Sequence, residues 1–262
     1  MPPAPTSSSV RRLVIAGLGN ASHPLTRHSI GQFLLKNLAL RAASDPSYYL
    51  SGSSHFQPLR IGRHALLSTR ITLRPPSTSN RRDQSELELH FVIPKAPMNI
   101  NGPAVVAAFE AWIPPNERIP AHARRSPTPP PVEPLPTAPT RRQRKQPPAR
   151  PKNLRSLLTL QDDLDLSPSV LKYQPGGGPR GHNGVRSVSS SLNSDKYHRL
   201  WIGIGRPEER GDVARYVLGP MGREEVRACE FVEGKGGGGE VLEKAWREVL
   251  RIGFEEVEEE VP

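Results

Sequence analysis

The sequence predicts an α/β fold: a single domain, a mixed β-sheet with helices on both faces, interrupted by a disordered Pro/Arg-rich insertion. Three observations carry this. Short apolar runs end in glycine- or asparagine-rich turns, as Leu13-Val14-Ile15-Ala16 does before Gly17-Leu18-Gly19-Asn20, and read as buried strands. Segments with apolar residues at helical spacing alternate with them, as at Ile30, Phe33, Leu34 and Leu38. Pro114 to Pro151 holds thirteen prolines and no apolar periodicity, so it cannot bury enough surface to fold.

The elements follow in order. After the first strand, Arg27-His28 stands at the entrance of the first helix. Tyr48 to Leu73 alternates weakly, as a hairpin or short strands do, and Arg74 to Glu86 reads as a loop. Leu87 to Pro94 is a further strand, delivering Lys95 to Asn99 to its end. Asn101 suits an N-cap and Pro103 a first turn, for a helix with Val105, Val106, Phe109 and Trp112 on its apolar face. The fold resumes at Leu157-Leu158-Thr159-Leu160 and continues through Val170 to Tyr173. A helix over Val185 to Leu192 starts at the His182-Asn183-Gly184 turn, and Leu200 to Gly205 is the next strand. Val213 to Leu218 and Arg223 to Phe231 are helical candidates, and Gly234 to Gly239 is a flexible interruption. Leu242, Ala245, Trp246, Val249, Leu250 and Phe254 line a final helix.

This divides the 262 residues into a disordered tail (1–10), one domain (11–117 with 154–257), a disordered basic insertion (118–153) and an acidic tail (258–262). The net charge is +10, but ten Lys/Arg against Glu133 alone between Arg118 and Arg155 place +9 of it in one stretch. The basicity therefore argues for a basic arm and says little about the folded surface. No apolar run reaches the roughly 18 residues of a membrane span, and Met1 to Val10 lacks the apolar core of a secretion signal. Arg11-Arg12 and the absence of acids before Asp45 are leader-like, yet the first strand begins almost at once. Cys229, the sole cysteine, excludes an internal disulfide and suits a reducing compartment. The compartment expected is the cytoplasm or the mitochondrion, not the exterior.

The chemistry centres on Gly176-Gly177-Gly178-Pro179-Arg180-Gly181-His182-Asn183-Gly184. Five glycines in nine residues make a tightly folded loop that lets a backbone or ligand approach. Upstream lies Gln161-Asp162-Asp163-Leu164-Asp165. A dinucleotide loop at Gly17 would need a third glycine where Ser22 stands. No Gly-x-Ser-x-Gly nucleophile turn is present. Asp162, Asp163 and Asp165 with the histidines could instead ligate Mg²⁺, a reading weighed against simple solvent exposure of Asp163 and Asp165.

Asp162-Asp163-Leu164-Asp165, Gly176 to Gly184 and Arg199-Leu200-Trp201-Ile202-Gly203-Ile204-Gly205-Arg206-Pro207, in that order, resemble the bacterial-type peptidyl-tRNA hydrolases. Gly17-Leu18-Gly19-Asn20 with Thr26-Arg27-His28, and Lys95-Ala96-Pro97-Met98-Asn99-Ile100-Asn101-Gly102, fit the same family. The chain is identified as a divergent, eukaryotic member. The resemblance implies hydrolysis of the ester joining a peptide to the terminal ribose of tRNA, by a monomer without cofactor or metal. By resemblance His28 is the general base, Asp162 orients it, and Asn99 positions water or stabilises the oxyanion. Asn20, Asn183, Met98, His182 and Gly181 bind the peptidyl end, and Lys172 and Arg199 take a tRNA phosphate.

The sequence departs from that pattern at several points. The Asn20 to His28 loop is about two residues short, Ser29 replaces an asparagine, Gln161 stands where histidine or asparagine is common, and Gln174 and Trp201 stand where Lys and Arg are usual. The 118–153 arm would offer a diffuse attraction for RNA in their place. A non-catalytic RNA-binding relative, of the kind used in organelle RNA splicing, is the alternative that keeps the fold without the reaction.

Overall fold

In β1 (Val10–Gly17) successive side chains alternate across the strand: Leu13 and Ile15 join one apolar layer, and Val14 and Ala16 the other. A strand apolar on both faces must be central, and it is. In the computed structural model, which describes residues 10–75, 85–115, 154–207, 210–234 and 237–254, β1 lies between β5 (Glu86–Pro94) and β6 (Leu154–Asp163), parallel to both. The remaining strands are β2 (Tyr49–Gly52), β3 (Gln57–Ile61), β4 (His64–Leu73), β7 (Leu171–Gln174) and β8 (Tyr197–Gly203). The sheet runs β2-β4-β5-β1-β6-β8-β7, with β3 on β4. Its core β5-β1-β6-β8 is parallel, and the flanking strands β4 and β7 run antiparallel to it.

Helices α1 (Ile30–Ala43) and α6 (Glu240–Phe254) cover one face, packing Leu34, Leu38, Val241, Trp246 and Val249 on Leu13, Ile15, Leu89, Phe91, Leu158 and Leu160. Helices α2 (Gly102–Trp112) and α3 (Asn183–Leu192) cover the other, with Val105, Phe109, Val185 and Val188 on Val14, Ala16, Val92, Leu157 and Trp201. The expected mixed sheet between two helical layers is therefore present. Close backbone contact sets α1. A Cβ on Gly31 would stand 2.2 Å from the Leu160 carbonyl oxygen, so the first turn of α1 rests directly on β6.

Helix α2 runs back along the sheet. It ends with Trp112 stacked on His90, ring centroids 4.7 Å apart at 15°, beside a groove lined by Arg12, Arg70 and Glu88. Burial drives the His90 pKa down, against the opposing pull of Glu88. Two short helices, α4 (Val213–Leu218) and α5 (Arg223–Cys229), follow β8. Cys229 is buried at the end of α5, and burial raises its thiol pKa to about 12. Among the described residues no helix is long and apolar enough to cross a membrane.

Three local expectations change. Asn101 does not cap α2: its own backbone is already helical (φ −65°, ψ −31°). Its side chain instead accepts from Gly19 N–H at 3.1 Å and donates to the Ala96 and Pro97 carbonyls at 3.1 and 2.8 Å. Within the glycine run at 234–239, Gly237–Gly238 forms a strand (β10) paired with Phe231–Val232 (β9), so that part is ordered, and the helical candidate ends at Cys229. Residues 1–9 of the expected N-terminal tail, the acidic tail, the insertion and most of the 74–86 loop lie outside the described residues, whereas Val10 already belongs to β1.

Candidate active site

Parallel strands deliver their last residues to one edge of the sheet, and there the motif residues meet. Asp162 is the penultimate residue of β6 and is buried. His28 lies in the single 3-10 turn Arg27–Ser29 that leads into α1. Its Nδ1 sits 2.8 Å from Asp162 Oδ1 and 3.0 Å from Oδ2. From the opposite helical layer, His182 places Nε2 2.9 Å from the same Oδ1. Two imidazoles, one from each face of the sheet, thus converge on one carboxylate, their centroids 5.0 Å apart.

Hydrogen bonding fixes the tautomers. His182 Nδ1 accepts the Val185 N–H at 3.2 Å, capping α3, so a neutral His182 carries its proton on Nε2 and donates it to Asp162. A carboxylate facing His28 Nδ1 holds that proton there and leaves the His28 Nε2 lone pair available. For Asp162, burial alone would raise the pKa. The charge and hydrogen bond of His182, joined by those of His28, outweigh it and hold the carboxyl well below the usual carboxylate range.

The three side chains also offer ligand atoms within 4.8 Å of one another, a set that could hold a metal ion. Their donor chemistry argues otherwise. Metal on His182 Nε2 would shift the imidazole proton to Nδ1, where it would oppose the Val185 N–H and uncap α3.

The His28 turn is strapped from several sides. Ser29 is buried, and its Oγ accepts Asn20 N–H at 3.0 Å. The loop from Asn20 to His28, expected from the resemblance to be short, is therefore closed by Ser29. Arg27 donates to Glu225 at 3.0 Å, lies 4.4 Å over the Tyr216 ring, and gives its N–H to the Gly219 carbonyl. These contacts anchor the turn to α4 and α5.

The other expected residues divide. Asn20 Oδ1 accepts the Met98 N–H at 2.8 Å, joining the β1 and β5 loops and leaving its amide N–H₂. Met98 itself is buried in the cluster of Val105, Val185 and Trp201. Asn99 and Gly181 are exposed, as is Asn183, whose Oδ1 accepts from Arg186 at 2.9 Å. Lys172 is exposed on the edge strand β7.

Arg199 is a correction. It is fully buried, donating to the Gly177, Gly178 and Asp195 carbonyls with Tyr197 beneath it. It ties down the glycine loop, and its side chain is not exposed to solvent. Gln174 and Trp201 pair with each other, indole Nε1 to Oε1 at 2.9 Å. Sequence reasoning gave no role to Ser29, Glu225 or Arg180. The last pairs with Asp163 at 2.7 Å and approaches Asp165, which Arg206 also holds.

The fold and the histidine–aspartate array together define an α/β protein with a candidate catalytic site at the carboxyl ends of parallel strands. Comparison with known proteins narrows this. Residues 149–248 match the family model of peptidyl-tRNA hydrolase. The peptidyl-tRNA hydrolase of Histophilus somni is 30% identical over 208 residues, 78% of this chain and 76% of that protein. That of Rickettsia bellii is 27% identical over 220 residues, 83% and 85% of the two chains. A 48% identical match to the Nitrosomonas europaea protein spans 70 residues, 27% of this chain and 36% of that one. In three dimensions, the peptidyl-tRNA hydrolase of Acinetobacter baumannii superposes with a TM-score of 0.50 at 20% identity, covering 94% of this chain and 88% of that one, and shares the fold. The chain belongs to the bacterial-type peptidyl-tRNA hydrolase family.

Proposed function

We propose that the protein hydrolyses peptidyl-tRNA, releasing the peptide as a free acid and the tRNA with its terminal ribose hydroxyl restored. The observation that carries the reading is the 2.8 Å contact between His28 Nδ1 and Asp162, which leaves Nε2 to take a proton from water. The water oxygen adds to the ester carbonyl carbon as its proton passes to Nε2. The resulting imidazolium is stabilised by the buried carboxylate, and the tetrahedral intermediate collapses with loss of the ribose oxygen, which takes up a proton. An ester has a better leaving group than an amide, so no side-chain nucleophile is needed. In this reading Asn99, whose side chain is exposed, donates to the oxyanion. The amide nitrogens of Asn20 and Asn183, with the Gly181 backbone, serve the peptide main chain, which carries no sequence information. Lys172 serves the tRNA backbone.

The protein acts as a monomer, in the cytoplasm or the mitochondrion. The Arg-rich stretch adds a non-specific attraction for RNA. Removing residues 118–153 should flatten the dependence of tRNA affinity on salt; an unchanged slope would remove that role.

The central test is incubation of purified protein with a peptidyl-tRNA, beside a His28→Ala variant. The wild type should release peptide, and the variant should bind substrate without turning it over. Equal turnover by the two would remove His28 from the mechanism, and binding without turnover by the wild type would leave an RNA-binding relative of the family.

A further inference from the structure

The glycine loop takes left-handed backbone repeatedly, at Gly176 (φ 142°), Gly177 (φ 104°) and Gly181 (φ 84°), but at Arg180 (φ 49°) the residue in that region is not glycine. An L-residue is disfavoured there and glycine is at ease, so the arginine persists because its side chain compensates. Asp163 is buried, and its Oδ1 is occupied by the Asp165 N–H at 2.8 Å. Its Oδ2 has no well-aligned hydrogen bond, and the Arg180 guanidinium, with Nη1 at 2.7 Å, supplies the balancing charge. The guanidinium also lies 5.4 Å over the Trp201 ring, which meets the His182 ring edge-on at 6.1 Å. Two loop residues, 180 and 182, thus bind two adjacent strand residues, 163 and 162.

We infer that Arg180 is a positioning residue: its ion pair with Asp163 clamps the glycine loop to the end of β6 and so keeps His182 hydrogen-bonded to Asp162. The clamp explains why a loop this rich in glycine presents one imidazole in one place. It acts through His182 and touches no reacting atom. Its kinetic consequence rests on the hydrolase reading given above, whereas its structural consequence does not.

The experiment uses the full-length protein, selectively ¹⁵N-labelled at histidine, as wild type, Arg180→Asn and Asp163→Asn. Asparagine tolerates left-handed backbone, so the first variant removes the charge without adding backbone freedom. The second leaves the loop sequence intact and still accepts the Asp165 N–H. Each is expected to speed solvent exchange of the His182 Nε2 proton by about tenfold or more while the amides of β1 and β6 keep their protection. Each should lower kcat on peptidyl-tRNA by about tenfold with little change in KM, and the double variant should be no worse than either single one. His182 exchange at the wild-type rate in both variants overturns the inference. If one variant fails to fold, the other decides it. A wild type that releases no peptide sinks the hydrolase reading, and the exchange measurement then decides the clamp alone.

Discussion

Asp162→Asn is the most informative single change. The wild-type carboxylate accepts from His28 Nδ1 at 2.8 and 3.0 Å and from His182 Nε2 at 2.9 Å. An amide of the same shape offers one acceptor and one donor. With its oxygen kept at the Oδ1 position for His182, whose tautomer is locked by Val185, its N–H₂ takes the Oδ2 position 3.0 Å from His28 Nδ1 and opposes a proton there, against the 2.8 Å contact of Nδ1 with the retained oxygen. The N–H₂ favours the His28 tautomer protonated on Nε2, in which the base is blocked. The charge that would stabilise an imidazolium is lost as well, and a hydrogen bond to a charged group is worth about 1.5–3 kcal/mol. Where an aspartate behind a catalytic histidine of a serine protease is replaced in this way, the wrong tautomer costs about 10⁴ in kcat. We expect a loss of about 10³- to 10⁴-fold here, or ~4–5.5 kcal/mol of activation free energy. Single-turnover cleavage of a peptidyl-tRNA measures it, with substrate binding followed in parallel and expected to change little. A variant within tenfold of wild type would show that His28 does not depend on this carboxylate, and the mechanism would fail.

Three further outcomes can be checked. Because the folded-state pKa of Asp162 is depressed, its ionisation stabilises the fold above the unfolded-state carboxylate value of about 3.9, and that contribution is lost as pH falls below it; the stability gap between wild type and Asp162→Asn in denaturant titrations should narrow on acidification. With its pKa pushed up to about 12, buried Cys229 should resist iodoacetamide at pH 8 in the native protein and react on unfolding, as quantitative alkylation would show. Gly31→Ala drives a Cβ to 2.2 Å from the Leu160 carbonyl oxygen and should cost about 1–3 kcal/mol in chemical denaturation, with reduced turnover because α1 carries the His28 turn.

Much of this was legible in the chain. Strand ends and strand-to-helix loops placed His28 and Asp162 in one cleft although 134 residues separate them, because buried parallel strands and helix entrances announce themselves locally. What was not legible depends on which face a neighbour covers. Arg199 reads as a surface cation, yet it shares a face with Tyr197 and Trp201 on a strand flanked on both sides, and α3 closes over that face. Asn101 has the right chemistry for a cap, but the backbone groups of the β1 and β5 loops claim its side chain first. Ser29 and Glu225 bear on the site only through partners in other segments, which no local pattern records.

Helix α2 finishes at Trp112 and β6 starts at Leu154, both toward the rim of the sheet away from Asp162. Both attachment points of the intervening polypeptide therefore lie on the side remote from Asp162. Natural variation in length is therefore cheap at this junction, and so is deliberate alteration: an affinity handle, a fluorophore or a guest module grafted there would leave the hydrolytic machinery as it was.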